Sequence, residues 1–233
     1  MRKTVLFDLD GTLLPMDQEV FLNSYMSKMA AYMVPYGFDP KLLGKAMWAG
    51  VGAMVMNDGS IRNDELFWNV FEKHFGAEKT TVAKDVTVKF YQTDFQKVAF
   101  DCGYAAEAKE IVQSLKNKGY RVVLATNPLF PSIATESRMR WAGLSPEDFE
   151  HFTVFENSSF CKPNLKYYEE ILGKIGCSAE ECIMVGNDVS EDMIAEQLGM
   201  KVFLLTHSLI NKENKDISVY PNGDFEALKA FFE

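Results

Sequence analysis

The sequence predicts an α/β fold, a Rossmann-like doubly wound parallel sheet with an inserted α-helical cap. Three observations predict it. After about residue 98, short apolar runs alternate with amphipathic helices over short loops, as in a parallel sheet covered on both faces. One more apolar run, residues 3–8, stands apart at the N-terminus. Between them, residues 17–97 carry helical spacing only. The catalytic core is therefore expected at 1–16 and 98–233, and the helical cap at 17–97.

The first strand ends in DLDGTLL and turns at Gly11. The segments DQEVFLNSYMSKMAAYMV, PKLLGKAMWAGVGAMVM, NDELFWNVFEKHFG and TVAKDVTVKFYQTDF then read as roughly four helices, punctuated by Gly37, Gly59 and Gly76. Gly50 and Gly52 follow no strand, so they mark close helix packing or a bend rather than a phosphate loop. YAAEAKEIVQSLKNKG is a helix with Gly119 at its end. RVVLATN is a strand, IATESRMRWAG a helix and HFTVFE a short strand. NLKYYEEILGKIG is a helix, and Ser178 to Glu181 form a capping box. CIMVGND is a strand, EDMIAEQLG a helix, KVFLLT a strand and DFEALKAFF a final helix. The strands are nearly continuous apolar runs, as a doubly covered sheet requires.

The formal net charge of -9 argues against nucleic acid and anionic lipid as partners. No apolar stretch of about 20 residues suggests a membrane span. Arg2 and Lys3 resemble the start of a signal peptide, but Asp8 and Asp10 cut the apolar run too early. Cys102, Cys161, Cys177 and Cys182 show no metal-ligand spacing, so reduced thiols and a cytoplasmic location are expected. Cys161 reads as a small buried residue, with a reactive thiol as the alternative. His74, His151 and His207 share no metal-binding spacing. Seven of the twelve methionines lie between Met16 and Met56. They read as filler of the cap core or as a plastic apolar wall over a substrate pocket. Trp48 and Trp68 are expected in the cap core, with a pocket role for either as the alternative.

Polar residues at strand ends carry the chemistry, because open α/β sheets bind ligands there. Asp8 and Asp10 follow the first strand, and residues two apart share a face of a strand. Thr126 and Asn127 end the second. Lys162 lies in the loop after the third, in CKPN. Asn187 and Asp188 end the fourth, with Asp192 one turn later. Crowded carboxylates need a proton or a cation among them. Mg²⁺ suits a few carboxylates plus phosphate oxygens. Thr126 and Lys162 offer donors to phosphoryl oxygens, and Asn127 is either a turn residue or a further phosphate donor through its backbone N–H. One aspartate then attacks while the other handles protons.

DLDGT, the threonine of LATN, the lysine of CKPN and GNDVSED occur in that order. In this the sequence resembles the haloacid dehalogenase-like hydrolase superfamily, over the whole sheet domain. The resemblance implies Asp8 as the nucleophile that forms an aspartyl-phosphate and Asp10 as the general acid and base. It implies Thr126 and Lys162 as the phosphate-holding pair. It implies Mg²⁺ held by Asp8, the backbone carbonyl of Asp10 and Asp188, with Asp192 as partner. Many relatives read glycine-aspartate-serine at the fourth motif. Here Asn187 intervenes, so either Asp188 or Asn187 is the direct ligand. Asp192 alternatively serves the dipole of its helix.

The expected activity is a Mg²⁺-dependent phosphomonoesterase acting on a small-molecule phosphate ester. A phosphomutase keeps both aspartates and is the alternative. A dehalogenase has no use for the acid at Asp10. Phosphonate cleavage would need a cap lysine such as Lys28, Lys41 or Lys45 and usually replaces that acid. A silent binding protein fits poorly with four intact motifs. The apolar and aromatic content of the cap points to an apolar or aromatic leaving group. Oligomeric state is not readable.

Overall fold

The computed structural model describes residues 3–233. Met1 and Arg2, part of the expected core segment, lie outside them. Among the described residues six strands form one parallel sheet: β1 (Thr4–Phe7), β2 (Arg121–Leu124), β3 (His151–Phe152), β4 (Cys182–Gly186), β5 (Lys201–Leu205) and β6 (Asn222–Gly223). Their order is β3-β2-β1-β4-β5-β6. The order reverses at β1, which has β2 on one side and β4 on the other, so a crevice opens above the carboxyl ends of these three strands. The register places Leu6 opposite Val123 and Met184.

Side chains along each strand alternate between two cores. Val5, Phe7, Val122, Leu124, Ile183 and Val185 pack on one face. Helices α4 (Ala106–Asn117), α5 (Ser132–Trp141) and α7 (Phe225–Phe231) cover that face. Leu6, Val123, Met184, Val202 and Leu204 pack on the other, under α6 (Leu165–Ile175). This two-sided burial is why the strands read as unbroken apolar runs.

Between β1 and β2 the chain forms α1 (Gln18–Met33), α2 (Pro40–Val55) and α3 (Asn63–Gln92), then a 3₁₀ stretch, Asp94–Asp101. Asp17 caps α1 by accepting from the amides of Glu19 and Val20. Asp39 caps α2, with Pro40 in its first turn. Gly76, at φ 78°, breaks α3 where the sequence separates two helices. Gly50 lets α2 approach α3 closely, since a Cβ there would stand 2.5 Å from the Phe67 ring. The two chain segments entering and leaving the insert lie side by side. Met16 bridges Cys102, and Gly103 N donates to the Pro15 carbonyl at 2.7 Å.

Three expectations are corrected, and one strand is added. Trp48 is 54% exposed rather than in the core. The HFTVFE strand is confined to His151–Phe152. The helix expected after Asp192 is a 3₁₀ stretch, Met193–Leu198. Only six residues separate Asp192 from Gly199, whose φ of 94° ends the segment, too few for a regular helix with both ends satisfied. β6 is an additional strand, too short to leave a periodic signal.

Asn63 fastens the insert to the core. It is fully buried at the start of α3, and its amide N donates to the Ser158 carbonyl at 2.8 Å. Its side-chain oxygen accepts from Asn57 at 2.9 Å, and its nitrogen reaches Cys161 Sγ at 3.3 Å. Asn63→Ala is expected to destabilise the protein by about 1–3 kcal/mol, because it strands buried donors and acceptors. A shift in the urea midpoint with an unchanged denaturant slope checks this.

Candidate active site

Asp8 lies one residue beyond β1. Its backbone N donates to the Val185 carbonyl at 2.9 Å, which continues the β1–β4 ladder and fixes its position. The side chain is held at both oxygens. Lys162 Nζ donates to Oδ1 at 2.9 Å. The Thr12 hydroxyl lies 3.1 Å from Oδ2 and 2.9 Å from Asn187 Oδ1, with one proton to serve both. Gly11 makes this turn possible: its φ is +85°, and a Cβ there would collide with the Asn187 amide.

Lys162 is buried between two carboxylates, Asp8 and Asp192, the latter at 2.6 Å. Burial alone would lower its pKa, but Asp192 and Asp8 outweigh that and raise it, so the ammonium is retained. Asp192 also accepts from the Asp188 amide at 2.9 Å, and its carboxylate rests where a Cβ on Gly186 would be. Asp192 is therefore a buried partner of Lys162, not a residue serving a helix dipole. The carboxyl of Asp8 is pushed up to about 7 by burial, against the pull of Lys162 and with Asp192 and Asp10 adding to the rise.

Asp10 faces the same small pocket as Asp8, of about 40 Å³, together with Thr126, Asn127, Asp188 and Asp192. The shared direction comes from the turn rather than from strand pleating, because β1 already ends at Phe7. Asp10 Oδ2 accepts from Arg138 Nη1, an ion pair the sequence reading missed. Arg138 is fully buried on α5. Its guanidinium also donates to Thr135 Oγ1 at 3.1 Å and lies 4.4 Å from the centroid of the Phe130 ring. Burial raises the pKa of Asp10, while Arg138 and Lys162 pull it down.

Thr126 is buried two residues beyond β2, which ends at Leu124 rather than at Thr126 as expected, and its carbonyl accepts from Thr153 at 2.6 Å and from Tyr167 at 2.8 Å. The Asn127 side chain accepts from the Lys162 backbone N at 3.3 Å and donates to Glu191 at 3.0 Å. Asn187 is buried and bound at both ends of its amide. It accepts from Thr12 and donates to the Ser208 carbonyl at 2.6 Å. Asp188 is half-buried, and only its Oδ1 is taken up, by the amides of Ser190 and Glu191 at 2.7 and 2.9 Å. Of the two, Asp188 is the one with a carboxylate oxygen left to offer a cation.

Among the described residues no group of three His, Cys, Asp or Glu side chains is placed to hold a metal. The Asp10 carboxylate is paired with Arg138, while the resemblance asks only for its backbone carbonyl beside the carboxylates of Asp8 and Asp188. The donors nevertheless fit Mg²⁺, which takes one or two carboxylates and completes its shell with carbonyls, waters and phosphate. Asp10 Oδ1 is buried without a hydrogen-bond partner. Asp8 also carries a burial penalty that its shared lysine does not cancel.

Glu191 is a further carboxylate at the pocket that the sequence reading left aside, raised to about 7 by burial. Its signal, like that of Thr12, was proximity to a motif residue. Arg138 gave only a charge within an otherwise ordinary helix. Lys41 and Lys45 are exposed, and Lys28 pairs with Asp101 at 3.5 Å. Cys161 is buried, which pushes its thiol up to about 12, so it is protonated and inert at neutral pH.

A model of the haloacid dehalogenase-like hydrolases matches residues 2–206. The glyceraldehyde 3-phosphate phosphatase of Methanothermobacter thermautotrophicus is 26% identical over 223 residues, spanning 93% of this chain and 91% of that protein. The structure is similar to that of a 2-haloacid dehalogenase from Pseudomonas syringae, with TM-score 0.65, 17% identity and coverage of 99% and 100% of the two chains. It is also similar to the HAD-hydrolase YfnB of Bacillus subtilis, described as bound to magnesium, with TM-score 0.56, 18% identity and 99% of each chain covered.

Arg138→Met is expected to cost about 3–5 kcal/mol, because it leaves the Asp10 carboxylate buried and unpaired. The double variant with Asp10→Asn should recover most of that loss. Urea denaturation of both single variants and the double variant measures the coupling.

Proposed function

Since the chain belongs to the haloacid dehalogenase-like hydrolases, we propose that it is a Mg²⁺-dependent phosphomonoesterase of a small-molecule phosphate ester, working through an aspartyl-phosphate on Asp8. The observation that carries the reading is the carboxylate of Asp8, held at one oxygen by Lys162 and at the other by Thr12, in a pocket it shares with Asp10. The relationship to a phosphatase over nearly the whole chain supports it.

An oxygen of Asp8 attacks phosphorus, and the P–O bond to the leaving group breaks. The departing oxygen takes a proton from Asp10. Water then attacks phosphorus of the aspartyl-phosphate while Asp10 accepts its proton. The bond to Asp8 breaks, giving inorganic phosphate and the free carboxylate. Lys162, Thr126 and the Asn127 backbone hold the phosphoryl oxygens. Arg138 orients Asp10 and sets how readily it gives and takes the proton. Asp8, Asp188 and the carbonyl of Asp10 would hold Mg²⁺. When bound, the ion neutralises charge on the phosphoryl oxygens and on the crowded carboxylates. Helices α1 to α3, the inserted cap at 17–97, close over the leaving group and exclude water.

Phosphate release from p-nitrophenyl phosphate is expected with Mg²⁺ and not with EDTA. Asp8→Asn should lower kcat on the order of 10³-fold or more. Turnover surviving in Asp8→Asn would remove Asp8 as nucleophile. Asp10→Asn should hurt alkyl phosphates far more than p-nitrophenyl phosphate, whose leaving group departs without a proton. Equal losses on both esters would argue against Asp10 as the general acid.

A further inference from the structure

A cavity of about 400 Å³, ten times the volume beside Asp8, lies between the helical insert and residues 131–133 and 155–156 of the sheet domain. Protein interiors normally leave few voids larger than a water. Met29, Met33, Leu43, Phe67 and Phe71 line it. Tyr25 and Tyr91 also line it, with their hydroxyls bonded to each other at 2.8 Å, and so do Asp64, which pairs with Arg62, Glu156, which accepts from the Ser132 amide, and Lys84, so the wall is mainly but not wholly apolar. A sugar or polyol body placed along the Met29, Met33, Leu43, Phe67 and Phe71 wall would lose hydrogen bonds to water that this wall does not replace.

This cavity adjoins the catalytic pocket through two smaller ones of about 140 Å³ each. The first shares Tyr25, Met47 and Phe67 with the large cavity. The second shares Leu22, Leu129 and Phe130 with the first, and Asp10, Asn127 and Glu191 with the catalytic pocket. The path therefore starts among carboxylates, passes a middle with no charged lining residue and ends in a cavity whose wall is mainly apolar, with Asp64, Lys84 and Glu156 also lining it. The smaller volumes in the middle suit a slender body, and Met26 and Met47 there can adapt to a flexible one.

We infer that the substrate is a single-chain aliphatic phosphomonoester, with its phosphate at Asp8 and its chain threaded past Phe130 into the large cavity. This rests on the phosphomonoesterase reading and names its leaving group. It accounts for a cavity that chemistry on a short polar ester would not need.

The test is kcat/KM for n-alkyl phosphates from butyl to dodecyl, below their micelle concentrations and with Mg²⁺. Each methylene buried should raise kcat/KM by about fourfold until the cavity is full. In Met47→Trp, which obstructs the junction of the two apolar cavities, the rise should stop at a shorter chain. Val88→Trp, at the half-exposed wall of the large cavity, gives the same reading if Met47→Trp does not fold. Butyl phosphate hydrolysed with no gain on lengthening would overturn the aliphatic leaving group and leave the phosphatase reading standing. A rise with chain length that neither variant shortens would overturn the placement of the chain. Release of phosphate from no ester at all would overturn both readings.

Discussion

Lys162 between Asp8 and Asp192 is the constraint on which the rest of the structure depends. Three charges out of water are tolerable only as a tightly paired set. The three residues come from the end of β1, the loop before α6 and the segment after β4, so the sheet order must bring these together. The close approach also dictates residues that carry no charge. Gly11 must lack a Cβ so that Asn187 can reach Thr12, and Gly186 so that Asp192 can sit beneath Lys162. The motif glycines are thus part of the electrostatic arrangement.

What the sequence made legible follows from how each signal arises. β1, β2, β4 and β5 are apolar on both faces and stand out as runs. α4, α6 and the helices of the insert are long enough for their spacing to register. Asp8 and Asp188 sit just beyond strand ends, where a polar residue in a covered sheet is visible without coordinates, and Lys162 was legible from its motif in the loop after β3. β6 has two residues, Asn222 and Gly223, and no apolar pattern to find. Met193–Leu198 looks helical in spacing, yet Gly199 and the engagement of Asp192 leave it room only for 3₁₀ turns. Arg138 was illegible for a different reason. Its partner Asp10 is 128 positions away, and nothing local marks a helix arginine as buried. Trp48 failed by the usual assumption that tryptophan on an apolar helix faces inward.

The insert and the sheet divide two incompatible tasks. The sheet edge concentrates carboxylates and one ammonium, which demand dense hydrogen bonding and tolerate little movement. The insert offers methionines and aromatic rings around open space, which demand no fixed partners. The core on one sheet face continues into the insert through Leu13, Phe21, Tyr25 and Phe95, so the two regions are built on shared packing.

Phe130 is where these tasks meet. Its face lies against the Arg138 guanidinium, and that guanidinium pairs with Asp10. It also makes edge contacts with Phe21 and Tyr25, at ring distances of 6.1 and 5.3 Å. The same side chain lines both narrow cavities between the catalytic pocket and the insert. A leaving group passing Phe130 therefore presses on the ring that seats the arginine holding the proposed general acid. The apolar path and the setting of Asp10 are joined through one aromatic ring, so under the proposed reaction a ligand that fills the path would also bear on the position of the group proposed to protonate it.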